Sequence, residues 1–166
     1  LVSNDVIRPR AAVLKDNIIK WGCQNVVVTN NDPKDFAELK GYFDVIVIDA
    51  PCSGSGLFRR DPDAIDEWSV NNVNLCSQRQ QRILADVWPA LKEDGVLIYS
   101  TCSFSKEEDE EIADWMIESL RHEATATSLR LKVPAEWKIV ELRTALGAWG
   151  YRFWPDKIKG EGLFMS

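Results

Sequence analysis

The sequence has few of the residues that metal sites and disulfide-rich folds require. Its 166 residues include one histidine and four cysteines, and no two cysteines are close enough to form a C-x-x-C pair. This spacing argues against a zinc site and a disulfide framework, so we expect no bound metal and reduced thiols in a cytoplasmic protein. We interpret His122, the single histidine, as a solvated surface residue rather than a catalytic base.

Signals for membrane insertion and export are also lacking. No apolar run approaches the ~20 residues that cross a bilayer, and no basic start leads into an apolar stretch. We therefore expect no membrane partner. The length and the 45% hydrophobic content fit one domain with its own core.

Charge is unevenly distributed along the chain. The net charge of -6 argues weakly against a nucleic-acid partner. Residues 107–111 are all acidic, and Ser105-Lys106-Glu107-Glu108 matches a capping box at the start of a helix. Basic residues that can form a local phosphate-binding face are Arg59, Arg60, Arg152, Lys157 and Lys159.

Strand-like and helix-like segments alternate. Apolar or β-branched runs predict strands at residues 26–28, 45–49, 96–100, 137–142 and 162–165, and helical spacing predicts helices over 9–22, 72–91 and after 105. Alternation predicts an α/β fold with a mainly parallel sheet and an antiparallel late edge, in a single domain over residues 1–166. The unbroken apolar character of residues 45–48 predicts a strand buried on both faces.

Two cysteines follow predicted strands. Cys52 lies in Asp49-Ala50-Pro51-Cys52-Ser53-Gly54, and Cys102 lies in Ser100-Thr101-Cys102-Ser103. Because ligands bind at the carboxyl ends of parallel strands, we expect the two thiols to share a site. Cysteine chemistry allows either one to be a nucleophile. We interpret Cys23 and Cys76 as buried structural residues.

Three aspartates occupy similar positions at or just after strand ends, namely Asp5, Asp32 and Asp49. A carboxylate there can accept hydrogen bonds from ribose hydroxyls, or it can simply close a turn or cap a helix. The residues themselves leave both alternatives open.

The two cysteine motifs, in this order, resemble the Nol/Nop/Sun family of RNA cytosine-5 methyltransferases. Residues 56–62, 150–155 and 160–164 resemble further motifs, and the first of these points to the branch of bacterial ribosomal small-subunit methyltransferase F. Ser3-Asn4-Asp5 resembles the family's second motif, with Asp5 where Glu is usual. The resemblance covers nearly the whole chain. It implies a Rossmann-like fold and methylation of carbon 5 of cytosine in RNA, with ribosomal RNA as the expected substrate.

The resemblance implies a role for each candidate residue. Cys102 is the nucleophile that adds to carbon 6 of cytosine, and Cys52 assists release after methylation. Asp5 holds the ribose of S-adenosylmethionine, Asp32 contacts its adenine side, and Asp49 lies between the cofactor and the base. The residues expected on the RNA side are Asp49, Pro51, Arg59 and Arg60.

The family's first strand and glycine-rich cofactor loop have no counterpart in this sequence. We therefore expect a fragment, the C-terminal part of a catalytic domain, that is inactive on its own. Two alternatives remain: a noncatalytic RNA-binding or scaffold domain, and a methyltransferase acting on a protein or small molecule. The paired cysteine motifs disfavour both alternatives.

Overall fold

The structure, a computed structural model, describes residues 1–120 and 127–166, so His122 lies outside the described residues. Helices and strands alternate through the first described range, and strands dominate the second. The strands are β1 (Val2–Asn4), β2 (Val27–Thr29), β3 (Phe43–Asp49), β4 (Leu91–Thr101), β5 (Val140–Arg143), β6 (Trp149–Phe153) and β7 (Leu163–Met165). The helices are α1 (Arg8–Trp21), α2 (Asp63–Glu67), α3 (Val70–Val87) and α4 (Glu110–Ser119).

Local chemistry explains where the two longest helices begin and end. Helix α1 has a proline in its first turn and ends at Gly22, which adopts a left-handed φ of 77° and donates its N–H to the last turn. Helix α3 begins after Ser69, whose hydroxyl accepts a hydrogen bond from the Asn72 N–H at 3.2 Å. It ends two residues before Pro89, and residues 88–90 form a 3₁₀ turn.

The strands form two separate sheets. Strands β1 and β2 pair in parallel, and a five-stranded sheet has the order β3-β4-β7-β6-β5. Strand β3 is parallel to β4, whereas β7, β6 and β5 are antiparallel to their neighbours. The α/β fold with an antiparallel late edge is thus confirmed, but the sheet is mixed rather than mainly parallel, because three of the five strand pairings among the described residues are antiparallel.

The antiparallel edge contains one strand more than predicted. Strand β6, Trp149–Phe153, lies between the two predicted late strands, where the sequence pattern predicted no strand. Gly150 is required there by packing, because an added Cβ would lie 2.8 Å from Cε2 of Phe164. A glycine inside a strand can therefore mark the close approach of a neighbouring ring.

The core lies between β3–β4 and the helices α3 and α4. Its buried side chains include Ile48, Leu84, Tyr99, Ile112 and Phe164. Among the described residues, no helix is long and apolar enough to cross a membrane.

Strand β3 is covered on one face only, so the prediction of burial on both faces is wrong. Ile46 and Ile48 pack on the core, whereas Val45 and Val47 remain 52% and 65% exposed. Helices α3 and α4 both contribute to the cluster around Ile48, and α1 contacts β2 instead. In the described part of the chain, the Val45–Val47 face therefore lacks an equivalent layer.

Candidate active site

The carboxyl ends of β3 and β4 bring the two cysteine loops together. Asp49 lies opposite Ser100 in the parallel register, and the Ala50 N–H donates to the Ser100 carbonyl at 2.8 Å beyond the end of β3. The chain therefore leaves both strands at the same edge. The Sγ atoms of Cys52 and Cys102 lie 3.2 Å apart. The two thiols are close enough to act on a single atom or group.

The two thiols differ in their tendency to ionise. The hydrogen bond from Cys52 is the main reason that the pKa of Cys102 falls to about 7, although burial and the charges of Asp49 and Glu108 oppose this fall. The same bond and burial raise the pKa of Cys52. A substantial fraction of Cys102 is therefore thiolate at neutral pH, and this form accepts a hydrogen bond from the protonated Cys52 thiol.

A buried carboxylate, Glu108, lies behind the thiols. Its oxygens accept hydrogen bonds from the Ser53 N–H at 2.8 Å, the Ser53 hydroxyl at 2.5 Å and the Ser103 hydroxyl at 2.6 Å. The amide of Gln80 on α3 donates a fourth bond at 3.2 Å. One side chain thus contacts the residue that follows each cysteine.

Sequence reasoning missed this role, and the prediction of a capping box is wrong. Ser105 precedes a 3₁₀ turn, Lys106–Glu108, and its side chain makes no capping hydrogen bond. Helix α4 begins only at Glu110. The available signal was the serine after each cysteine, because a buried hydroxyl needs a hydrogen-bond partner.

A second buried group supports the end of β4. The Thr101 hydroxyl donates to Asp109 at 2.6 Å, and Asp109 forms an ion pair with Arg152 at 2.9 Å. Arg152 also binds Glu110 through two nitrogens. Since Arg152 is only 4% exposed, the suggestion that it contacts phosphates is wrong.

The loop after Cys52, which contains Gly54 and Gly56, packs directly against Cys102. A Cβ on Gly56 would lie 2.3 Å from the carbonyl oxygen of Cys102 and 2.8 Å from its Cβ. Arg59 donates to the Gly160 carbonyl at 3.0 Å, and Arg60 lies 3.9 Å from Glu161. Both arginines are exposed, and Pro51 is exposed beside Cys52. This loop therefore borders the segment that carries the exposed Lys157 and Lys159.

The three aspartates lie at strand ends, as predicted from their positions in the sequence. Asp5 accepts a hydrogen bond from the Ile7 N–H at 2.8 Å and pairs with Arg10 at 2.9 Å. Asp32 accepts from the Lys34 N–H at 3.2 Å and lies 3.5 Å from Arg82. Asp49 is exposed at the end of β3, next to the thiols.

The other two cysteines have different environments. Cys76 is buried on α3, as predicted, and burial raises its pKa. Cys23 is exposed after α1, so its predicted burial is wrong. No group of three or more metal-binding side chains occurs within the described ranges.

The sequence of this chain matches a known protein family along its whole length. The sequence pattern of the 16S rRNA methyltransferase RsmB/F family matches residues 1–166. The ribosomal RNA small subunit methyltransferase F of Psychromonas ingrahamii is 35% identical over 167 residues, and that of Aeromonas salmonicida is 36% identical over 168. Each alignment covers 100% of this chain and 34% of the relative.

A solved structure agrees with the sequence matches. NSun6 from Pyrococcus horikoshii, crystallised with SFG, aligns with 99% of this chain and 39% of its own, with a TM-score of 0.78 and 24% identity. The fold is the Rossmann-like α/β fold of methyltransferases. This chain belongs to the 16S rRNA methyltransferase RsmB/F family, which confirms the resemblance drawn from the cysteine motifs. It spans about a third of the length of the curated relatives named above.

Proposed function

We propose that this chain, within its full-length protein, transfers a methyl group from S-adenosylmethionine to carbon 5 of cytosine in small-subunit ribosomal RNA. Membership of the family supports methylation of RNA. The observation that carries the cytosine-5 chemistry is the pair of thiols 3.2 Å apart. We place the reaction in the cytoplasm, where thiols stay reduced.

Cys102 is the nucleophile in this proposal. Its thiolate adds to carbon 6 of cytosine, which makes carbon 5 electron-rich enough to take the methyl group. Loss of the proton from carbon 5 then allows the carbon–sulfur bond to break, which restores the ring and the thiolate. The lowered pKa of Cys102, about 7, supports this assignment over Cys52.

Cys52 assists the release step. Its pKa is raised chiefly by the hydrogen bond to Cys102. Once Cys102 is bonded to carbon, that sulfur is neutral and the raising effect of its charge disappears. Cys52 can then lose its own proton to solvent, and the resulting thiolate accepts the proton from carbon 5 as the bond between carbon 6 and the Cys102 sulfur breaks.

Carboxylates at the strand ends have the chemistry that the cofactor requires. When bound, S-adenosylmethionine supplies a methyl group on positively charged sulfur. Asp5 and Asp32 are oriented by backbone N–H groups and can still accept bonds from ribose hydroxyls and the adenine side. Asp49 lies between the cofactor and the cytosine edge.

The RNA side of the site lies on the loop after Cys52. Arg59 and Arg60 are exposed on this loop and contact phosphates, and Pro51 borders the base. The target cytosine must leave its stack to reach the thiols. A local basic face therefore binds RNA despite the net charge of -6.

Trapping of the covalent adduct tests the proposal. The full-length protein is incubated with S-adenosylmethionine and RNA containing 5-fluorocytosine, whose fluorine prevents release from carbon 5. We expect Cys102→Ala to abolish the adduct on a denaturing gel, and Cys52→Ala and the exposed-cysteine control Cys23→Ala to retain it. The rate of adduct formation should rise with pH through about 7, as the Cys102 thiolate forms.

Other outcomes have distinct meanings. Loss of the adduct in Cys52→Ala but not in Cys102→Ala would exchange the two roles. The absence of any adduct with cellular RNA would instead favour a noncatalytic RNA-binding domain. We also expect the 166 residues alone to show no methyl transfer, because β1 and β2 are not hydrogen-bonded to the five-stranded sheet. Methyl transfer by residues 1–166 alone would contradict this expectation.

A further inference from the structure

Glu108 is a buried acidic side chain to which the mechanism above assigns no step. It is 0% exposed, and such a carboxylate is costly unless its oxygens are hydrogen-bonded. Here the oxygens accept four hydrogen bonds, from Ser53, Ser103 and Gln80. The donors belong to the loop after β3, the loop after β4 and helix α3.

These contacts connect the two cysteines through their nearest neighbours. Ser53 follows Cys52, and Ser103 follows Cys102, so one carboxylate bridges both loops one residue from each thiol. A second link lies further along the loops, where the Phe104 N–H donates to the Ser55 hydroxyl at 2.9 Å and the Ser55 and Ser103 hydroxyls lie 3.5 Å apart. The Glu108 bridge differs from this link because it contacts the residue next to each thiol.

The bridge is itself held in place. The Tyr99 hydroxyl donates to the Glu108 carbonyl oxygen at 2.6 Å, which anchors its backbone to β4. Gln80 donates to both Glu108 and the Pro51 carbonyl, at 3.2 and 2.9 Å. The position of the carboxylate therefore sets the position of both loops.

We propose that Glu108 is a positioning residue: its carboxylate holds the Cys52 and Cys102 loops at the separation that lets both thiols act on one base. The consequence for catalysis rests on the proposed function, whereas the bridging is testable on the thiols alone. Loss of the bridge separates the thiols, and a misplacement of 1 Å can cost about 100-fold in rate.

The rate of disulfide formation reports on the separation of the two thiols, and Glu108→Gln, which also removes the charge, separates loss of the charge from loss of the bridge. Diamide takes up two electrons and two protons from the two thiols, and a Cys52–Cys102 disulfide forms. For this test, Cys23→Ser is introduced into the full-length protein and all its variants, so that the exposed Cys23 thiol cannot react. We expect Glu108→Ala to slow disulfide formation about tenfold or more. Glu108→Gln, which keeps one acceptor oxygen and a similar shape, should remain within about threefold.

Matched variants separate positioning from folding. Glu107→Ala removes the exposed neighbouring acid and should leave the rate unchanged. If Glu108→Ala does not fold, the double variant Ser53→Ala, Ser103→Ala removes the side-chain arms of the bridge and should slow the reaction in the same direction. A disulfide rate in folded Glu108→Ala, or in this double variant, equal to that of the unsubstituted protein would overturn the proposal.

The same variants in the 5-fluorocytosine assay test the catalytic consequence. We expect Glu108→Ala to slow adduct formation about tenfold or more at saturating RNA, with Glu108→Gln restoring most of the rate. An adduct rate unaffected in Glu108→Ala would overturn the positioning role. If disulfide rates follow the expected order while even the unsubstituted protein gives no adduct, the bridge stands and the proposed function fails.

Discussion

Two edges of this molecule carry its candidate residues, and they are built differently. The cysteine edge, at the ends of β3 and β4, is organised around buried polar groups, Glu108 and Asp109. The aspartate edge, at the ends of β1 and β2, carries Asp5 and Asp32, which pair with exposed arginine side chains. The cysteine edge therefore has its geometry set by the fold, whereas the aspartate edge keeps carboxylates near solvent.

This difference suits the two proposed tasks. Covalent chemistry requires reacting atoms within a narrow range of positions, which buried and fully bonded groups provide. Binding of a small polar molecule needs acceptors that a ligand can reach. Substitutions at the cysteine edge should therefore lower the free energy of unfolding and also displace the thiols. Substitutions at the aspartate edge should lower only the affinity for S-adenosylmethionine.

The largest effect is expected from Arg152→Ala. Arg152 is buried and pairs with Asp109 and Glu110, so its removal leaves carboxylates without a compensating charge. We expect the free energy of unfolding to fall by about 3–5 kcal/mol, measured by urea denaturation of the full-length protein. The control Arg130→Ala removes an exposed ion pair with Glu141 and should change stability little. An equal loss of unfolding free energy in Arg152→Ala and Arg130→Ala would show that burial does not make the Arg152 ion pairs more important for stability.

A smaller effect is expected from Gly56→Ala. The added methyl group would lie 2.3 Å from the Cys102 carbonyl oxygen, so the two cysteine loops must separate. We expect a loss of about 1–3 kcal/mol in unfolding free energy and slower adduct formation. Gly160→Ala is the matched control, because its methyl group would enter open space. An unchanged adduct rate in Gly56→Ala would argue against close packing as a requirement.

The smallest effect on stability is expected from Asp5→Asn. The amide oxygen can still accept from the Ile7 N–H, while the charge that pairs with Arg10 is lost. We expect the free energy of unfolding to change by less than about 0.5 kcal/mol. The affinity for S-adenosylmethionine, measured by calorimetry, should fall about tenfold. Asp16→Asn on the exposed face of α1 should change neither quantity. Unchanged affinity in Asp5→Asn would remove Asp5 from the cofactor site.

Sequence reasoning was strongest where local pattern determines the outcome. The alternation of apolar runs and helical stripes identified β3, β4 and α3, and the position of each cysteine just after a strand predicted that the thiols would meet. Sequence reasoning was weakest where a residue far away in the sequence determines the local structure. Strand β6 was missed because Gly150 makes room for Phe164, which lies on another strand.

The acidic run at 107–111 shows the same limit. All five side chains look alike in the sequence, yet Glu107 is exposed and Glu108 and Asp109 are buried. The difference arises because the 3₁₀ turn before α4 points Glu108 at serines from both cysteine loops. No local periodicity encodes that choice.

The sequence by itself determined the α/β class, the family and the placement of two thiols at strand ends, because strand periodicity and the two cysteine motifs are local properties of the chain. Only the tertiary structure decided which thiol ionises more readily, which acids are buried and which arginines face solvent. These depend on desolvation and on hydrogen bonds between residues far apart in sequence, such as Ser53 and Glu108.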